Sequence, residues 1–161
     1  MGGWLSIDGN ITKFFACKLS EDDARIFKEE LNGSCTGQQL WECLAILVAR
    51  DVWAAEWSQS RVVLKVRGDN VGALMFLIKM RPSNPKQAII ARELALRLVE
   101  LSFPPDAVHT PGIAHVIADE LSRVYAPKGS GIVTNTIHPA LEHAIQTQVP
   151  KRNEAWYRAL Q

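Results

Sequence analysis

Three carboxylates, Glu42, Asp69 and Asp119, stand where an acid has either a cost or a task. Glu42 lies in the stretch GQQLWECLAILVARDVWAAEW, Gly37 to Trp57, and is the one charged residue between Gln38 and Ala49. Among Trp41, Cys43, Ala45 and Ile46, a carboxylate takes up its proton or finds a cation, a metal or a hydrogen-bond donor. Asp69 closes an apolar run, where it either caps the helix beginning near Val71 or offers oxygen to a cation. Asp119, beside Glu120 on a helix with an apolar opposite face, is by default a solvated acid. Taken singly, each has a structural explanation.

The elements that must position them can be read from periodicity. Apolar and polar residues alternate from Trp4 to Leu19 around Asp8-Gly9, which predicts a hairpin of strands Trp4–Ile7 and Ile11–Lys18. Ser20-Glu21-Asp22-Asp23 has capping-box spacing, and a short helix is expected to run to about Leu31, where Asn32-Gly33 stops it. Leu40, Leu44, Leu47, Val48 and Val52 recur at helical spacing and predict one long buried helix over Gly37–Trp57. Arg61–Val66 reads as a β-branched strand covered on both faces. Helices are then expected over Val71–Met80 and Lys86–Leu101. The latter aligns Ile89, Ile90, Leu94, Leu98 and Leu101, with Arg92, Glu93, Arg97 and Glu100 elsewhere. Asp106–Thr110 is a short strand. A helix from Ile113 to about Tyr125 turns Ile113, Val116, Ile117, Leu121 and Val124 inward. APKGSG, Ala126 to Gly131, has linker composition. Pro139–Gln148 is expected to form a last helix, ahead of a basic and aromatic end with Arg152, Trp156 and Tyr157. This is an α/β order, and in such sheets the site lies at the carboxyl ends of parallel strands, where Asp69 falls.

Composition sets the bounds. The 161 residues, 47% hydrophobic, allow one domain with a core plus an arm. Eighteen basic and 17 acidic side chains leave a net charge of +1, so any nucleic-acid surface must be a local patch. Cys17, Cys35 and Cys43 are odd in number and lack CxxC spacing, which predicts reduced thiols in an intracellular compartment, cytoplasm or nucleus. No apolar run reaches the ~18–20 residues of a membrane span, and MGGWLSIDG has no signal-peptide character. A soluble, unexported protein without a membrane partner is expected.

The runs GGWLSIDG, GDNVGAL and HTPGIAHVIADELSR, taken together, resemble the ribonuclease H domain that follows the polymerase in retroelement (LTR-type) reverse transcriptases. The most specific element is His-x-Pro-Gly followed by Ala-Asp-x-Leu-Ser-Arg. The likeness covers about Gly2 to Pro127, which implies a ribonuclease H-like domain over 1–127, with 128–161 a linker and C-terminal arm. By this resemblance Glu42 matches the acid of the first long helix, Asp69 the Asp closing the fourth strand, and Asp119 the Asp of the last motif. Those three would then be both catalytic and metal-binding residues. The implied cofactor is Mg²⁺ (or Mn²⁺), two ions serving in-line hydrolysis of the RNA strand of an RNA/DNA hybrid. Implied partners are that hybrid and the polymerase part of a reverse transcriptase. Asn70, Arg67, Lys79 and Arg81 are the candidate nucleic-acid contacts, within a wider set of Arg61, Lys65, Lys86 and Arg92 that a solvated face explains equally well.

One departure changes the expectation. Members of the family carry Asp-x-Ser-x-x-Gly-x-Gly-Gly ahead of the hairpin, its Asp bridging both ions on the central strand. The present sequence opens inside that motif, at Met1-Gly2-Gly3, and Asp8 in the hairpin turn is no replacement. A domain lacking its first strand, with weakly held metal and little or no nuclease activity, is therefore expected. The hairpin would either pair directly with Arg61–Val66 or leave a split sheet with exposed edges. The rival is a catalytically dead module that binds nucleic acid or a partner subunit. His115 is read as incidental, and Trp53 and Trp57 as core.

Overall fold

The two residues Asp8 (φ 51°) and Gly9 (φ 85°) both adopt left-handed backbone, as the tightest hairpin loop requires. They join β1 (Gly2–Ile7) to β2 (Asn10–Ala16) in an antiparallel pair with Gly3 opposite Phe15 and Trp4 opposite Phe14. This hairpin begins a mixed α/β structure, seen in a computed structural model that describes residues 1–31, 37–57, 64–99, 106–125 and 137–160. Alternation along the hairpin supplies two cores. Leu5 and Phe15 join the larger cluster, whereas Phe14 and Ala16 join Leu121 and Leu141 on the opposite face.

Ser20 and Asp23 form the expected capping box of α1 (Glu21–Phe27). The helix ends before Leu31, because Lys28 turns left-handed (φ 49°) and its N–H closes on Ala24 and Arg25. In α2 (Gln38–Val52), Leu40, Cys43, Leu44, Leu47 and Val48 are buried. Full burial of such aliphatic side chains contributes roughly 1.5–3 kcal/mol each. The helix stops short of Trp57: the backbone tightens into a 3₁₀ turn at Ala54–Glu56, which lets both Trp53 and Trp57 enter the core.

Lys65–Gly68 forms β3, and the parallel strand Asp106–His109 forms β4, in register from Lys65 opposite Asp106 to Gly68 opposite His109. Arg61–Val63 lie outside the described residues. The expectation of a strand covered on both faces is overturned, since Lys65 and Arg67 are exposed and only the Val66 side packs on the core. The crossover runs through α3 (Val71–Lys79) and α4 (Pro85–Val99). On α4, Glu93 and Arg97 are buried, against the expectation that they sit off the core. Arg97 donates to Glu93 (3.2 Å) and the Trp156 carbonyl (3.1 Å), pairs with Asp51, and lies 4.4 Å from the Trp156 ring centroid. Burial is tolerated because the charges are mutually satisfied.

The sheet is split. β1, β2 and the short strand β5 (Ile145–Gln146) form one sheet, β3 and β4 another, and no described strand joins them. After a 3₁₀ turn at Gly112–Ala114, α5 (Val116–Arg123) packs its Leu121 onto β1 so closely that a Cβ at Gly2 would meet that of Leu121 at 2.5 Å. Val116, expected inward, is exposed because the preceding turn rotates it away. Ile113's side chain and the stretch 126–136, with the expected linker, lie outside the described residues.

A helix over Pro139–Gln148 does not form. A 3₁₀ turn at Pro139–Leu141 buries Leu141, and the chain then extends so that Thr147 N–H bonds the Phe14 carbonyl at 2.7 Å. Pairing with the edge of β2 outweighs local helix propensity. The described part of the tail, 137–160, is thus built into the domain instead of forming an arm. Arg152 donates to Asp23 through Nε (2.9 Å) and Nη2 (2.6 Å), and Tyr157 is fully buried against Phe27. Among the described residues, no helix is long and apolar enough to cross a membrane.

Arg152→Met should be strongly destabilising, by about 3–5 kcal/mol, because it strands the Asp23 carboxylate inside the protein. Urea unfolding monitored by tryptophan fluorescence checks this; a change below about 1 kcal/mol would show that the tail does not anchor the fold.

Candidate active-site cleft

Between β1, β3, α2 and α5 lies a cleft of about 1790 Å³, and Glu42, Asp69 and Asp119 all line it. Glu42 reaches it because α2 is not buried all round. Leu44, Leu47 and Val48 point to the core, while Trp41, Glu42, Ala45, Ile46 and Ala49 form a half-covered margin. Gln38, one turn earlier, and Asn70, across the cleft, hydrogen-bond the Glu42 carboxylate. Even so, its pKa is raised, first by burial and further by the neighbouring charge of Asp69.

Asp69 follows the last residue of β3, and its two open roles separate here. Asn70, not Asp69, caps α3: its Oδ1 accepts from Ala73 N–H at 3.0 Å. The Asp69 side chain is 45% exposed, with His115 Nδ1 at 3.8 Å from its Oδ1. His115, read from sequence as incidental, is therefore part of the cleft; no local pattern links it to Asp69, because the two meet only across the chain crossover. Gln38 was legible, standing four residues before Glu42.

Asp119 opens to the same cleft from α5, but its Oδ1 holds Arg123 Nη2 at 2.8 Å, an i,i+4 ion pair. Among the described residues, no three His, Cys, Asp or Glu side chains stand close enough to hold a metal ion. The trio expected as a metal set is thus only partly assembled: Glu42 and Asp69 are electrostatic neighbours, while Asp119 is turned to a cation of its own helix. Like charges resist closer approach without a counter-charge between them. This donor set does not fit a two-ion centre.

The candidate nucleic-acid contacts also divide. Arg67 and Asn70 line the cleft. Lys79 and Arg81 are exposed at the far end of α3, whose nine residues span about 13 Å at 1.5 Å per residue. The four do not form one patch.

Asp69→Asn should lower the pKa of Glu42 by removing a like charge, and Asn70→Ala should raise it by removing a donor to the ionised form. Side-chain carboxyl NMR titration reads both. The linked stability follows the sign of the raised pKa: the folded state holds the Glu42 proton more tightly, so Glu42 favours folding at low pH. That contribution falls as pH rises from the ordinary glutamate range through the raised value. Glu42→Gln should flatten this part of the stability profile in urea titrations across pH.

Compared with protein-family models, with characterised proteins and with solved structures, the chain matches none.

Proposed function

We propose that the chain is a ribonuclease H-like domain of retroelement ancestry that engages RNA/DNA hybrids and, by itself, cleaves them little or not at all. The observation that carries the reading is the meeting of Glu42, from α2, with Asp69, from the carboxyl end of β3, at one cleft that also receives Asp119. Two acids from separate elements on a shared cleft agree with the motifs GDNVGAL and HTPGIAHVIADELSR. In that ancestry Mg²⁺ or Mn²⁺ is the implied cofactor, for which the described side chains of this cleft do not close a site. The incomplete donor set accounts for the low activity proposed: burial, with the neighbouring Asp69 charge, raises the proton affinity of Glu42, and no group of three such side chains among the described residues closes a cation site.

A second reading, a module that binds hybrid or a partner subunit without chemistry, is favoured by the Asp119–Arg123 pair, which occupies the third acid. The two are separated with a labelled RNA/DNA hybrid in Mg²⁺ or Mn²⁺. The chain should cleave no faster than its Glu42→Gln, Asp69→Asn double variant. Extended at its start by a strand carrying the family's Asp-x-Ser motif, it should cleave above that background, and Asp69→Asn should abolish the gain. Failure of the extended protein to cleave removes the enzyme reading. Hybrid binding that survives both acid substitutions favours the binding module, and Arg67→Ala should then reduce the salt slope by about one phosphate contact.

A further inference from the structure

The outward arc of a surface helix is ordinarily polar, and on α3 it is not. Ala73, Leu74, Phe76 and Leu77 are buried where α3 packs on α2, β3 and β4, which leaves Val71, Met75, Ile78 and Lys79 to solvent. Val71 is 55% exposed, Met75 37% and Ile78 52%. At i, i+4 and i+7 these three apolar side chains form one ridge along the helix. By contrast, α1 presents Glu21 and Arg25 to solvent. At the carboxyl end of the ridge stand Lys79 and Arg81, both exposed, and among the described residues neither makes an ion pair. No acid shares the arc: Asp69, before the opposite end of α3, opens on the cleft. Neither the ridge nor its two cations line that cleft.

We propose that this ridge docks an acidic amphipathic helix of a partner protein. Its apolar positions recur with the helical period, and Val71 to Ile78 span about 10 Å at 1.5 Å per residue, the length of two turns of a second helix laid along α3. Its charge is cationic and confined to one end. An antiparallel partner with Asp or Glu in its first turn sets those carboxylates over Lys79 and Arg81, where they also suit the positive end of its own helix. Met75, flexible and polarisable at the centre of the ridge, adapts to Leu, Ile or Phe on the partner. A phosphate backbone would satisfy the two cations and leave the three apolar side chains in water. A second copy fits less well: parallel, the two cationic ends meet, and antiparallel, each meets the positive amino end of the other α3. So short a ridge places the contact at the weak, transient end of interface sizes. The proposal does not rest on the nuclease reading, and its test involves no cleavage.

The test is methyl NMR on the full chain, titrated with a helical peptide of about 15 residues that carries leucines at i, i+4 and i+7 and glutamates in its first turn. The methyl signals of Val71, Met75 and Ile78 should shift and saturate, while those of Ala45 and Leu64 in the cleft stay in place. A peptide of the same composition with its leucines scrambled should bind at least tenfold more weakly. Ile78→Asp, at an exposed position, should keep the native dispersed spectrum and weaken binding at least tenfold. Lys79→Glu combined with Arg81→Glu should weaken the glutamate peptide as much and regain affinity for a version with lysines in place of the glutamates. No shift at about 1 mM peptide, equal binding of the scrambled peptide, or indifference to the double charge reversal would overturn the proposal. Two further results would also overturn it. Shifts of the same methyls that grow with protein concentration alone would give the ridge to a second copy, and shifts caused by an RNA/DNA hybrid but not by the peptide would give it to nucleic acid.

Discussion

The apolar stripe of α2 is the contact on which the molecule depends. Cys43, Leu44, Leu47 and Val48 are fully buried, and this one helix packs against β1, α3 and α4. In turn α3 packs against β3 and β4, so both small sheets are referred to α2, one directly and one through α3. The stripe also explains what α2 does with its other side. Because α2 buries only one arc of its circumference, the margin carrying Glu42 is left at the boundary between core and cleft. Cys43, one residue further, falls on the buried arc. Desolvation above all, with the Glu42 charge adding to it, pushes its thiol up to about 12, so it is a packing residue and not a nucleophile.

Around that core, charge is used as a fastener. Asp23 serves two elements at once, closing the capping box of α1 and receiving the guanidinium of Arg152 from the end of the chain. Arg97 does the same between α4, Asp51 and Trp156, whose indole N–H returns a bond to Asp51 at 3.0 Å. Such buried pairs are poor sources of net stability but severe when half removed, so they determine where the tail lies more than how stable the fold is. Tyr157 and Trp156, stacked edge to face with centroids 4.7 Å apart, are held between them.

The cleft is the counterpart of this arrangement. Its walls come from β1, β3, α2, α3 and α5, and its acids are not neutralised in the same way. Glu42 has hydrogen-bond donors, Asp69 a nearby imidazole, and Asp119 an arginine from its own helix. Three carboxylates sharing one cavity therefore stand beside three different kinds of group.

Much of the local structure was already determined by residue order. The Asp8-Gly9 hairpin, the Ser20–Asp23 cap, the cores of α2, α3 and α4, and the strand before Thr110 follow from turn chemistry and periodicity, which act within a few residues. The carboxylates stood out by type and context for the same reason. Tertiary structure alone decided the remainder. Glu93 and Arg97 are inside because Asp51 and Trp156 come to meet them, and Ile145–Gln146 extends because an edge of β2 was waiting. Asn70 caps α3 while its neighbour Asp69 faces His115, a division that depends on where the crossover returns β4 and α5. Whether the sheet would close or split was likewise beyond the sequence, since strand pairing is settled by which edges reach one another after the helices have packed.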